Sequence, residues 1–226
     1  MVLEMKNIVD INDFCSGGDI NFENNSTVLR VKKGKVENRL IKRKTRNTHR
    51  RSNSELKLLE LLANEKLCDG YSYHVITGGD IDSLSFLKII LNEQNLEYCL
   101  FSTWCMAMDD ILQIEEWLLS GKIKRLDCYV GEIFPNSYSS QYSKLKEIIK
   151  ITKGRVAVFR NHAKIFAGIG DKFSFAIESS ANINTNPRTE NTCITIDKEL
   201  YLFYKDFFDG IKSFNRDFDE WIKYGT

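Results

Sequence analysis

The chain reads as an α/β protein: a mixed, largely parallel sheet flanked by helices on both faces, preceded by a basic N-terminal extension. Three observations predict this. Between residues 71 and 151 short β-rich runs alternate with amphipathic stretches of 10 to 14 residues, the pattern of βαβ units. From Val156 onward three apolar runs, VAVF, KIFAGI and KFSFAI, follow one another with only short polar breaks and read as successive strands. Between Arg30 and Arg51, eleven Lys and Arg stand against the single Glu37, a local charge of +10 in a chain whose net charge is +1, so the remainder carries about −9.

Residues 1–53 are expected to form the extension, with a basic arm at 30–51, and 54–226 the α/β domain. Turn signals at Ser16-Gly17-Gly18-Asp19 and Asn24-Asn25-Ser26 make residues 1–29 a loosely attached segment. The arm lacks aromatics; Lys42, Arg43, Lys44, Arg46, Arg50 and Arg51 are its candidate phosphate contacts, giving affinity without sequence choice. From Ser54, a suitable N-cap, a leucine stripe predicts a helix ending at Asp69-Gly70, which docks the arm or forms a dimer contact. YHVIT (73–77) is a strand, with His74 expected in the core. Gly78-Gly79-Asp80 is an ordinary tight turn, and a helix follows over 83–94.

Two further strand and helix pairs follow at 98–103 with 108–120, and at 125–134 with 139–151. In a parallel sheet the polar groups at the strand ends, Ser102, Thr103, Trp104 and Glu132, line the rim where ligands bind in open α/β folds. Trp104 reads as closing the core, with base stacking as the other role. After TCITI, residues 199–224 predict an aromatic-rich helix broken near Gly210, with Leu202, Phe203, Phe207 and Phe214 among those facing the sheet.

Hydrophobic content of 42% over 226 residues fits a globular chain with one sizeable core. No apolar run approaches the roughly 20 residues of a membrane span, and the first residues lack a signal-peptide pattern, so a soluble, cytoplasmic protein is expected. Six scattered cysteines without a C-x-x-C pair are expected as buried reduced thiols. Three histidines without ligand spacing make a metal site unexpected, and no cofactor is called for.

The densest polar chemistry lies among the late strands. His162 and Lys164, two apart, would project to one side of an extended strand. Ser179-Ser180-Ala181-Asn182 and Arg188-Thr189-Glu190-Asn191 follow in strand-end positions. An imidazole, an ammonium, neutral donors and a carboxylate together suit chemistry on a phosphate.

His162-Ala163-Lys164, then Ser180-Ala181-Asn182, then Glu190-Asn191 resembles the signature of the phospholipase D superfamily, H-x-K-x4-D followed by G-S-x-N and a downstream Glu. The likeness is greatest to its small nucleases with one motif per chain. It runs from about residue 71 to the end and implies a phospholipase D-like half-domain. Ile169 occupies the place of the Asp, and Ser179 that of the Gly. The resemblance implies His162, Lys164, Asn182 and Glu190 as catalytic residues and Ser180 as a further phosphate contact; Ser102, from the strand-end rim, and Arg188, from its loop, are expected to add substrate contacts. In that family two histidines share the work, so one motif per chain implies a homodimer. The expectation is a metal-independent phosphodiesterase, a nuclease of low sequence specificity, acting on DNA rather than RNA and not at a membrane. The rivals are a nucleic-acid-binding protein that does not cut, and a phospholipase or phosphatidyltransferase.

Overall fold

The computed structural model of the protein describes residues 26–33, 36–43, 46–62, 65–184 and 188–225, of which 26–33, 36–43 and 46–52 are described by their backbone. Two compact units appear, Met1–Asn47 and Thr48–Thr226. In the first, β1 (Ser26–Lys33) and β2 (Val36–Arg43) pair antiparallel with Ser26 opposite Arg43 and Lys33 opposite Val36. Much of the basic stretch is therefore paired strand. Val28, Val31 and Ile41 supply β-branched residues that suit paired strands. Lys42 and Arg43 belong to β2, and Lys44 lies outside the described residues.

Helix α1 spans Arg46–Leu61, so it contains Arg46, Arg50 and Arg51 and starts well ahead of the expected cap at Ser54. Ser54 is instead a buried tie within the helix. Its hydroxyl accepts from the Asp82 N–H at 2.6 Å and meets the Ser85 hydroxyl at 2.9 Å. These bonds fasten α1 to the start of α2 (Ser83–Glu93), while Leu58 packs into the core beside Leu84 and Leu87.

The sheet of the second unit contains β3 (Ser72–Thr77), β4 (Leu96–Thr103), β5 (Leu126–Gly131), β6 (Val156–Phe159), β7 (Ile165–Gly170), β8 (Ser174–Ser179) and β9 (Glu190–Thr195). Their order is β3-β9-β8-β7-β4-β5-β6. Only β4-β5 and β5-β6 are parallel; the other four pairings are antiparallel, so the sheet is mixed but not largely parallel. The physical reason lies in the connections. Helices α3 (Met108–Leu119) and α5 (Ser139–Ile151, after the short α4, Phe134–Ser137) provide the long crossovers that parallel neighbours need. Only Asp171–Phe173 separates β7 from β8, enough for a hairpin and nothing else.

Alternation along β4 divides the interior. Cys99 and Phe101 join a cluster with residues of α1, α2, α3 and α5, while Tyr98 and Leu100 face Tyr201 and Phe208 of α6 (Lys198–Asp209). Helices thus cover both faces. The inward side of α6 is Tyr201, Tyr204 and Phe208, whereas Leu202, Phe203 and Phe207 are exposed, the reverse of the expected stripe. The helix ends at Gly210 and does not resume. Residues 211–225 run as a strap in which Phe214 N–H donates to the Val158 carbonyl at 2.7 Å and Tyr224 stacks on Tyr98 at 4.6 Å. Phe214 itself is exposed.

A buried carboxylate explains the strap. Asp127 on β5 is fully buried, which pushes its pKa up, and accepts from Tyr98 hydroxyl (2.9 Å), Arg155 N–H (2.9 Å) and Trp221 Nε1 (3.0 Å). The Arg155 guanidinium lies 3.7 Å from the Trp221 ring centroid. His74 is exposed on edge strand β3, not in the core, because β3 has a neighbour on one side only. Of the described cysteines, Cys99, Cys105 and Cys128 are buried, Cys193 half-buried and Cys68 exposed, all as free thiols. No described helix is long and apolar enough to cross a membrane.

Gly154 enters β6 where the backbone passes close to β5. A Cβ there would lie 1.8 Å from the Leu126 carbonyl oxygen, and backbone atoms cannot yield as a flexible side chain would. Gly154→Ala is expected to cost at least about 2 kcal/mol, read as a lower urea midpoint with unchanged slope. An unaltered midpoint would contradict the close approach.

Candidate active site

Strands β6 and β7 are consecutive in the chain but lie apart in the sheet, with β5 and β4 between them. Phe159 is opposite Gly131 on β5, and Ile165 is opposite Ser102 on β4. The intervening residues 160–164 must cross three strand spacings, roughly 14 Å, over the C-terminal ends of β5 and β4. Six residue steps reach about 20 Å when extended, so the crossover has little slack. His162 and Lys164 lie on this crossover, not on a strand as their spacing suggested.

They meet nonetheless. His162 is exposed and Lys164 is buried, with Nζ 3.0 Å from His162 Nδ1, 3.3 Å from Nε2, and donating to the His162 carbonyl at 2.6 Å. Burial pushes the Lys164 ammonium below its ordinary value, against opposing pulls from the Cys105 thiol and the Glu190 carboxylate. The Trp104 indole flanks the imidazole, ring centroids 6.0 Å apart, and Gly131 gives it room, since a Cβ there would fall 2.6 Å from Trp104 Cδ1.

The S-x-N segment approaches from the turn after β8. Ser180 donates to the Glu190 carboxylate and accepts from Asn191 N–H at 3.1 Å, which joins two motif residues directly. Asn182 turns Oδ1 toward the end of β4, where it accepts from Trp104 N–H (3.3 Å) and the Thr103 hydroxyl (3.4 Å). That leaves Nδ2 as its donor end. His162, Lys164, Glu178, Ser179 and Ser180 border an open groove of about 390 Å³. Tyr204 of α6 donates to Glu178 on its far wall.

The two departures from the motif have structural explanations. Ser179 needs no glycine freedom, because its φ is not positive. Its hydroxyl accepts from Ala181 N–H at 3.1 Å and meets the Thr192 hydroxyl at 2.9 Å, so it shapes the turn bearing Ser180. Ile169 lies on β7 opposite Ser174 and packs toward α6, a place that favours an apolar side chain.

Among the remaining candidates, Ser102 is 1% exposed and its hydroxyl donates to the Ala163 carbonyl at 3.1 Å, so it faces the crossover instead of the groove. Arg188 is exposed just before β9; Asn186 and Pro187 lie outside the described residues. Lys42, Arg43, Arg46, Arg50 and Arg51 fall on β2 and α1 as given above. Reading the sequence missed Asn161, whose only signal was a polar residue directly ahead of the histidine. It also missed Cys105, a buried thiol held up by burial and facing Lys164. A larger cavity, about 810 Å³, opens beside Arg125 and Gly154 at the other ends of β5 and β6, and no motif residue lines it.

No family model and no curated protein matches the chain. Among solved structures it is similar to polyphosphate kinase from Porphyromonas gingivalis, at 16% identity and TM-score 0.48, covering 65% of this chain and 27% of that one. It is also similar to NucT from Helicobacter pylori, at 17% identity and TM-score 0.47 over 62% and 94% of the two chains. A third likeness is to phosphatidylserine synthase from Haemophilus influenzae Rd KW20, at 14% identity and TM-score 0.45 over 61% and 37%. The chain thus spans about a quarter of the polyphosphate kinase.

The lowered pKa of Lys164 makes a stability prediction. An unfolded lysine holds its proton up to about 10.5, whereas the folded one releases it earlier. Between the two values the unfolded state binds more protons, so folded stability rises with pH. Measured against Lys164→Met, the native protein is expected to gain stability as pH is raised from neutral toward 10.5, by chemical denaturation at several pH values. A difference that stays flat would show that burial does not act on this ammonium.

Proposed function

We propose that the chain is a metal-independent phosphodiesterase, a nuclease of low sequence specificity working as a homodimer through a phosphohistidine. The observation that carries this reading is the exposed His162 imidazole with the Lys164 ammonium 3.0 Å from its ring, at the edge of an open groove shared with Ser180. In this reading His162 of one subunit attacks phosphorus, forming a P–N bond as the P–O bond to the leaving group breaks. The leaving oxygen takes a proton from the second subunit's imidazolium. Water then attacks, gives its proton to that second imidazole, and the P–N bond breaks, returning both rings to their starting states. Lys164, Asn182 and Ser180 stabilise the charge on the five-coordinate phosphorus. Glu190 holds Ser180 in place, a role supported by their hydrogen bond, and bears on the histidine only through that neighbourhood. Arg188 adds an outer charge.

The substrate follows from charge. The basic segment 30–51 favours a polyanion, and a nucleic-acid phosphodiester fits it better than a lipid headgroup. A second reading, binding without cutting, is favoured by one observation: Lys164 Nζ already donates to the His162 carbonyl at 2.6 Å.

Cleavage of end-labelled single- and double-stranded DNA and RNA in excess EDTA separates the two. The native protein is expected to cut, as a dimer by light scattering, and His162→Ala to lose at least about a thousandfold in rate. Retarded bands without cleavage in either protein would leave only the binding reading. Replacing Lys32, Lys33, Lys42 and Arg43 with Gln is expected to lower the salt dependence of duplex affinity by roughly 0.9 in log–log slope for each phosphate no longer neutralised, measured by anisotropy titration. An unchanged slope would remove the β1-β2 pair from the binding surface.

A further inference from the structure

The structure points to Asn161 and Ser102 as a positioning pair that sets the direction of His162, and we propose this role for them; it rests on the phosphodiesterase reading of His162. Asn161 is 6% exposed although it belongs to a surface crossover. Its Oδ1 accepts from Ala163 N–H at 3.0 Å, while Nδ2 donates to the Tyr129 carbonyl (3.0 Å), the Ser102 hydroxyl (3.0 Å) and the Thr103 carbonyl (3.3 Å). Two carbonyl acceptors require the NH2 on one side, and an N–H donor requires the oxygen on the other, so the amide has a single orientation. Ser102 completes the arrangement by donating to the Ala163 carbonyl at 3.1 Å.

Both polar groups of Ala163 are thereby fixed from the interior. The residues on its two sides are His162 and Lys164, one outward and one inward, and Lys164 closes the loop on the His162 carbonyl at 2.6 Å. Thr103 ends β4 and Tyr129 lies within β5, opposite Ser102, so the pair ties the candidate nucleophile to two adjacent parallel strands of the sheet. Neither side chain reaches the groove. Their effect on chemistry is through the placement of the imidazole, and misplacement by about 1 Å can reduce a rate a hundredfold.

The test compares hydrolysis of bis(4-nitrophenyl) phosphate with the ring signals of 15N-labelled histidine, where only His49, His74 and His162 contribute. Asn161→Ala is expected to lose about a hundredfold in kcat with KM within about twofold, and to shift the His162 ring signals while leaving those of His74 in place. Asn161→Asp does not recover the rate, because a carboxylate cannot donate to two carbonyls. Ser102→Ala, a milder change that removes one hydroxyl and serves as the second variant should Asn161→Ala fail to fold, shows the same split to a lesser degree, and Ser102→Thr, which keeps the hydroxyl, recovers the rate. Native kcat in Asn161→Ala, or unmoved His162 signals in both alanine variants, would overturn the inference. Absence of any hydrolysis that His162→Ala abolishes would sink the phosphodiesterase reading, and the ring signals would then decide the positioning role alone.

Discussion

The crossover from β6 to β7 is the constraint on which the candidate site depends. A chain leaving the edge strand must pass over two neighbours in five residues, and buried carbonyls along the crossing need donors. Asn161 supplies them to Tyr129 and Thr103. The same bonds that satisfy the sheet hold His162 outward, so the histidine's placement is a by-product of how the sheet end is capped.

Around that crossing the motif residues come together from separate elements. Ser179 hydrogen-bonds across to β9 and bends the chain so that Ser180 reaches Glu190. Asn182 reaches in the other direction, to the loop leaving β4. The turn is thus fastened at both ends. Lys164 represents the tension in this design, since its ammonium is partly withdrawn from water and held below its ordinary pKa, yet sits beside the imidazole where an anion would be bound. A charge kept in a buried place costs stability and gains electrostatic strength, because the interaction is less screened there than at the surface.

The opposite end of the sheet shows different physics. Asp127, buried and held by three donors, fixes the strap of 211–225 through Trp221, and Arg155 stacks on the same indole. Polar groups buried this deeply are tolerated only when satisfied, and Trp221, by donating to Asp127, meets that requirement from within the strap.

Periodicity along the chain is enough to locate the elements of the second unit: each strand from β3 to β9 and helices α2, α3 and α5 lie within a few residues of the runs it picks out. The order of His162, Lys164, Ser180 and Glu190 suggests a single sheet edge, but the spacing of His162 and Lys164 suggests a strand where they lie on the crossover between β6 and β7. Which strands are neighbours is settled only by tertiary pairing. Direction in a sheet depends on which edges pair, which local periodicity does not encode, so an alternating β and α pattern suggests a parallel sheet where four pairings are antiparallel. The inward face of α6 is ambiguous for a similar reason: Leu202, Phe203 and Phe207 are as apolar as Tyr201 and Phe208, and only the position of the sheet selects between them. Ser54 and Ser102 show the same limit on a smaller scale. A serine reads alike as a cap, a ligand contact or a buried tie until its hydroxyl's partners, far away in the chain, are in place.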